Sequence, residues 1–253
     1  MKSISLLGYG WLGKPLATTL LQRYPHINIS TRSSCKPPQS QLIHSIIDLP
    51  LIIDPQFFKC TTLIITIPFK RNLGNPSDYF KAIDSIIPFL NGINQIIFTS
   101  STMIYETKNT TVTENSPINQ TPRSQILNQV EQRLLSQPNI KTTILRLGGL
   151  FGPQREIGQF AIQKKTIMAD HPINFIHQND VILIIQKLLK TPYHGILNAV
   201  SDNHPTRKKL YQKYLTQDQL SQVNFIHDET MPYKIVDSTK LKKLLQFKFN
   251  HNL

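Results

Sequence analysis

The sequence of 253 residues predicts an α/β protein, a doubly wound parallel sheet with a small C-terminal lobe packed on it. Three observations carry that expectation. Short apolar runs alternate with amphipathic segments of helical length through residues 1–150, the habit of strands buried on both faces. A glycine-rich turn joins the first run to the first helix. After Gly152-Pro153 the pattern breaks into shorter pieces.

The runs place strands at 3–7, 27–30, 42–47, 62–67, 95–99 and 142–147, all short, apolar and rich in β-branched residues. Between them, 12–23, 77–90 and 122–135 have helical length, and the last opens on Thr121 as N-cap with Pro122 in the first turn. Past the break, a strand at 174–177 meets a helix starting near Asn179-Asp180. A strand at 196–200 is followed by a helix over 205–215, and a small helix lies at 238–245. The expected division is 1–152 for the sheet domain and 153–253 for the small lobe, with some later segments returning to the sheet.

Composition excludes several classes. Two cysteines, Cys35 and Cys60, make no disulfide framework, and no Cys/His cluster has zinc spacing. No metal is expected, neither cysteine is assigned a role, and a reducing compartment, the cytoplasm, fits this usage. The opening MKSISLLGYG is too short in apolar residues for a secretory signal, and no run reaches the roughly 18 apolar residues of a membrane span. Lys and Arg number 28 against 15 acids, a formal charge of +13. That surplus draws anions towards the surface, yet the bases are spread out and lack an interleaved aromatic stripe, so nucleic acid is not the favoured partner. A small anionic substrate is, and a homo-oligomer stays open.

The sharpest motif is Gly8-Tyr9-Gly10-Trp11-Leu12-Gly13, set between the first strand and the first helix. In this setting Gly8 permits a tight turn, Gly10 lets a pyrophosphate approach the backbone, and Gly13 brings helix and strand close. Amides of Trp11 and Leu12 then face the phosphates at the positive end of the helix. The site expected is that of a Rossmann-type dinucleotide domain. An acid at the end of the second strand would select NAD(H). Here the strand runs into Thr31-Arg32-Ser33, a guanidinium flanked by hydroxyls that suits a 2′-phosphate, so NADP(H) is preferred and NAD(H) is the second reading.

Ser100-Ser101-Thr102-Met103-Ile104-Tyr105 resembles the SSxxVY motif of the extended short-chain dehydrogenases/reductases, the NAD-dependent epimerase/dehydratase superfamily. Residues 145–153 (LRLGGLFGP), 174–181 (NFIHQNDV) and 195–200 (GILNAV) are similar to further motifs of that family, in the same order. The resemblance implies that Thr31-Arg32 meets the adenosine ribose and that Asp48-Leu49 borders the adenine. It implies further that Ile67-Pro68 runs along the cofactor and Leu147-Gly148 sits near the nicotinamide. It puts Ser101 at the catalytic hydroxyl, which polarises a substrate carbonyl or holds an alcohol. The branch resembled is nucleoside-diphosphate-sugar epimerase-like, so the substrate implied is small, polar or nucleotide-linked.

One departure bears on chemistry. The family's catalytic helix carries Tyr-x-x-x-Lys, spaced so that both side chains share one face. Aligning Glu131 with the glutamate that often follows this motif puts Arg123 at the tyrosine position and Leu127 at the lysine position. The acid–base pair is absent. Tyr105 is the one phenol at a motif position and stands as substitute proton donor or as a packed cleft tyrosine. Thr102, Arg123 and Arg155 are the candidate substrate contacts. His177 reads as an interlobe histidine and Asp180 as support for the helix starting there. Three functions stay open: an NADP(H)-dependent oxidoreductase or epimerase, a cofactor-binding sensor without turnover, and nucleic-acid binding through the basic residues 207–251.

Overall fold

Ile4–Leu7 are buried on both faces and form β1, an interior strand of the sheet. The computed structural model describes residues 2–34, 36–69 and 75–253; Cys35 lies outside the described residues. After β1 come α1 (Gly13–Leu20), β2 (Ile27–Thr31), β3 (Leu42–Ile46), β4 (Thr62–Ile65), α2 (Ser77–Asp84) and β5 (Gln95–Ser101). Then follow β6 (Thr110–Val112), α3 (Pro122–Leu135), β7 (Lys141–Leu147), β8 (Gly149–Phe151), α4 (Ile157–Lys164) and β9 (Thr166–Met168). The remainder is β10 (Phe175–His177), α5 (Gln178–Lys190), β11 (Gly195–Ala199), α6 (Arg207–Tyr214), α7 (Gln217–Ser221), β12 (Asn224–Ile226), β13 (Lys234–Val236) and α8 (Thr239–Leu245).

Seven strands pair in parallel in the order β11-β7-β5-β4-β1-β2-β3, the doubly wound sheet of a Rossmann-type fold. One face is covered by α1, α5 and α8 through Leu16, Leu20, Ile185, Leu188 and Leu241. The other is covered by α2 and α3 through Tyr79, Ile83, Leu127, Val130 and Leu134. A separate apolar cluster of Phe151, Ile157, Ile167, Leu210 and Tyr211 holds the small lobe. Residues beyond 152 thus supply both that lobe and, through β11, α5 and α8, part of the main sheet and its cover.

Boundaries shift for local reasons. Helix α3 spans 122–135 as expected because Thr121 caps it, its hydroxyl accepting from the Ser124 amide, with Pro122 in the first turn. The expected helix over 77–90 is instead α2 followed by a 3-10 turn at Ile87–Phe89, where Pro88 lacks a helical N–H. Strand β4 stops at Ile65, since Thr66 turns its hydroxyl onto the Gly8 carbonyl at 2.7 Å. Strand β5 runs on to Ser101, held by pairing with β7. The strand expected at 174–177 is β10, which pairs with β8, whereas β6, β8, β9, β12 and β13 have three residues each, too few for periodicity to register. Among the described residues no helix is long and apolar enough to cross a membrane, and no group of side chains has the make-up of a metal site.

Candidate functional site

The glycine turn is built by contacts that only glycine allows. Gly8 adopts φ +112°, and a Cβ on Gly13 would fall 2.1 Å from the Gly8 carbonyl oxygen, so helix α1 meets β1 with no room for a side chain. Gly10 differs: a Cβ there would meet nothing within 4 Å. Its face is an open cradle. Helix α1 also has no side-chain cap and no acid in its first turn, whereas Thr206 caps α6 and Thr216 caps α7. The Lys14 amide is taken by the Gly10 carbonyl at 2.9 Å and Pro15 has no N–H, so the amides of Trp11, Leu12 and Gly13 and the positive helix end are what an external acceptor would meet. This opening lies where the strand order reverses between β1 and β4, the crevice in which open α/β sheets bind ligands. A pyrophosphate fits it.

Because the main strands are parallel, their carboxyl ends share one edge, and the residues singled out above gather there. Thr31 closes β2, with Arg32 and Ser33 exposed just beyond. The Thr31 hydroxyl donates to the Ser33 carbonyl at 2.5 Å and lies 2.6 Å from His44 Nε2 on β3. His44 was not foreseen; a histidine in a strand gives no motif. Asp48 and Leu49 sit in the turn after β3, which the Asp48 amide closes by donating to the Ile52 carbonyl at 2.9 Å. Ile67 and Pro68 follow β4, and the Tyr79 phenol donates to the Ile67 carbonyl at 2.9 Å. Leu147 ends β7, and Gly148 is packed so tightly that a Cβ would come within 2.5 Å of the Asn174 carbonyl oxygen.

Ser101 ends β5, half-exposed at this edge, and its oxygen accepts from the Met103 amide at 3.2 Å. The hydroxyl proton is left to donate outward. Two neighbours correct their expectations. Thr102 is turned inward by the 3-10 turn and is only 7% exposed, so its side chain offers no face to a substrate. Tyr105 is 0% exposed, its phenol donating to Asn198 Oδ1 at 2.6 Å. Burial pushes its pKa up, against the opposing pull of Arg146. A sealed phenol of this kind exchanges no proton with the cleft.

Behind Ser101 lies a buried polar network. Arg146 and Glu131 are 1% and 0% exposed; Arg146 Nη2 donates to Glu131 Oε2 at 2.5 Å, and Nε bonds both carboxylate oxygens at 3.1 Å. The Ser100 hydroxyl donates to Glu131 Oε1 at 2.5 Å, and the Arg146 guanidinium lies over the Tyr105 ring at 4.8 Å. The signal that would have found this pair is physical. An arginine inside the apolar run TTILRLGG needs a buried carboxylate, and Glu131 is the one acid in α3.

The positions of the missing Tyr/Lys pair are filled otherwise. Leu127 is core, 1% exposed. Arg123 lays its guanidinium on the Phe69 ring at 4.2 Å and donates to the Phe69 carbonyl at 3.2 Å, fastening the segment after β4. Arg155 stacks on Trp11 at 4.3 Å, Trp11 Nε1 donates to the Pro153 carbonyl at 2.7 Å, and Gln178 donates to the Trp11 carbonyl at 2.8 Å. Arg155 thus stands exposed at the mouth between the glycine turn and the small lobe. His177 caps α5 and stacks on His251 at 3.7 Å; Asp180 pins residues 250–251, accepting from their amides at 3.1 and 3.2 Å. Burial holds the His177 pKa down. Cys60 is buried, which raises its thiol pKa.

Lys234 is the residue the sequence concealed, lying in a polar stretch outside every motif. Its Nζ donates to the Tyr105 carbonyl at 2.6 Å on the loop that follows Ser101, and among the described residues no carboxylate pairs with it. Burial lowers its pKa from 10.5 to about 8. NMR titration of the Lys234 amine should give a midpoint near that value; a midpoint above 10 would count against its desolvation. Between about 8 and 10.5 the unfolded chain binds a proton that the folded chain has released. This residue therefore adds stability as pH rises through that window.

No protein-family model matches the chain. Protein YeeZ of Escherichia coli (strain K12) is 30% identical to it over 265 residues, covering 99% of this chain and 97% of the other. Among solved structures, UDP-glucuronic acid 4-epimerase from Bacillus cereus in complex with NAD superposes with a TM-score of 0.74 at 17% identity, over 99% of this chain and 94% of that one. A short-chain dehydrogenase/reductase superfamily protein from Agrobacterium tumefaciens with bound NAD gives 0.76 at 14% identity, over 99% and 93%. At such identities the likeness to the two structures is one of fold.

Proposed function

Because the chain belongs to the family of Protein YeeZ and has the extended short-chain dehydrogenase/reductase fold, we propose that it binds a nicotinamide dinucleotide. NADP(H) is preferred over NAD(H), and the substrate is a small anionic, nucleotide-linked molecule. The single observation that carries the reading is the open Gly10 cradle at the uncapped start of α1, set at the reversal of strand order. Trp11 and Leu12 amides would hold the pyrophosphate, Thr31, Arg32 and Ser33 the adenosine ribose and its phosphate, and Asp48-Leu49 the adenine. Ile67-Pro68 and Leu147-Gly148 would flank the remainder. When bound, the cofactor supplies or accepts hydride. Ser101 donates its free proton to a substrate oxygen, and Arg155 with Arg123 meets anionic groups at the mouth. The substrate lobe is the part of residues 153–253 outside β11, α5 and α8.

The acid–base role passes to a group other than Tyr105, which is sealed; a bound water, a substrate phosphate or the Lys234 amine fills it. A second reading has its own observation. Leu127 in the core and Arg123 fastened to Phe69 occupy the pair's places with structural residues, which favours a cofactor-binding sensor without turnover.

Trp11, the one tryptophan, lies in the cradle, so its fluorescence reports binding directly. Titration should show quenching by NADPH and weaker quenching by NADH. Arg32→Ala should weaken NADPH selectively by roughly 1.5–3 kcal/mol, the size of a charge-assisted contact. Folded protein that responds to neither cofactor removes the proposal; tighter NADH reverses the preference. Turnover of sugar nucleotides with NADPH, lost in Ser101→Ala, separates enzyme from sensor.

A further inference from the structure

A second cavity, of about 720 Å³, opens at the far end of the sheet from the glycine turn. Arg23, Lys187, Lys190 and Lys248 line it, and no acid does. Two of its neighbours are already spent on helix ends: Lys187 donates to the Leu245 carbonyl at 3.0 Å, and Lys2 donates to the Leu189 carbonyl. Arg23, Lys190 and Lys248 are exposed and make no ion pair among the described residues. Three like charges facing one cavity repel one another unless an anion enters. Leu183 and Leu244 give the same cavity an apolar wall. Its volume suits a ligand of nucleotide size.

The place is distinct from the dinucleotide crevice. Helix α5 starts beside the glycine turn, where Gln178 reaches the Trp11 carbonyl, and ends at Lys190. Leu183 in its second turn walls the near side of the cavity, and Lys190 at its end lies about 18 Å along the helix from Gln178. Arg23 likewise lies past the far end of α1.

We propose that this cavity binds an organic polyphosphate of the nucleoside di- or triphosphate class, the phosphates on Arg23, Lys190 and Lys248 and the ring against Leu183 and Leu244. The proposal is independent of the dinucleotide reading. The test is calorimetric titration of the full chain with GTP and with inorganic tripolyphosphate at about 0.15 M salt, with and without saturating NADPH. GTP should bind at one site, more tightly than tripolyphosphate, and equally with or without NADPH. Replacing Arg23, Lys190 and Lys248 together by alanine should weaken it about a hundredfold, as loss of several partly exposed charge-assisted contacts would. These exposed side chains hold no core, so the variant folds. A control with Lys59→Ala, Lys209→Ala and Lys213→Ala removes the same charge elsewhere and should change affinity less than about threefold. Absent GTP binding, equal losses in both variants, or displacement by NADPH would each overturn the proposal. If NADPH itself fails to bind, its two arms coincide and the variant comparison still decides.

Discussion

Glu131→Ala should lower the free energy of unfolding by about 3–5 kcal/mol, the cost of stranding a buried charge. Arg146, 1% exposed, would lose the carboxylate that takes its Nε and Nη2 donors. Among the described residues its Nη1 already has no hydrogen-bond partner. Ser100 would lose its acceptor as well. Denaturant unfolding checks the value, and thermal melting should fall by roughly 6–20 °C. Changing both partners to apolar residues of similar volume, Glu131→Leu with Arg146→Met, should recover part of the loss, because no charge is then left buried. A single-variant loss under about 1 kcal/mol would show that the pair carries no such burden. The consequence reaches the site, since Ser100 adjoins Ser101 at the end of β5.

Gly10→Ala should separate binding from folding. A Cβ at Gly10 meets nothing within 4 Å, and the residue is not among those with positive φ. Stability should therefore stay level or rise by about 0.4–1 kcal/mol, as it does when a compatible glycine gains a side chain. The new methyl group fills the cradle where the pyrophosphate would approach, so NADPH affinity should drop by about a hundredfold, roughly 2.7 kcal/mol. Gly13→Ala makes the contrast: its Cβ would overlap the Gly8 carbonyl at 2.1 Å, so the strand–helix junction must open before any ligand is considered. Unchanged NADPH binding in Gly10→Ala would remove the cradle from the binding site.

The elements most legible in the sequence are those with local causes. Thr121 and Pro122 fix the start of α3, and the glycine turn announces both its neighbours. β1 and β4 read clearly because every residue in them is buried, and β2 and β3 through their isoleucines and leucine. What escaped depends on contacts distant in the chain. Lys234 has meaning only beside the Tyr105 carbonyl, and His44 only beside Thr31. Tyr105 shows the opposite failure: its motif position invites a chemical role, yet Asn198 and Arg146, from neighbouring strands of the sheet, enclose it. Arg146 could have been paired with Glu131 by asking where a buried guanidinium finds its acceptor.

The cover of the glycine-turn helix also sets the order in which the protein matures on the ribosome. Helix α1 packs Leu16 and Leu20 against residues of α5 and α8, and the Trp11 carbonyl waits for a donor 167 residues later. At about 5–20 residues per second, that delay is on the order of ten seconds or more. During it the side of α1 that α5 and α8 later cover stays open, although Ile27, Ile29, Leu42 and Ile64 of the same cluster are already made.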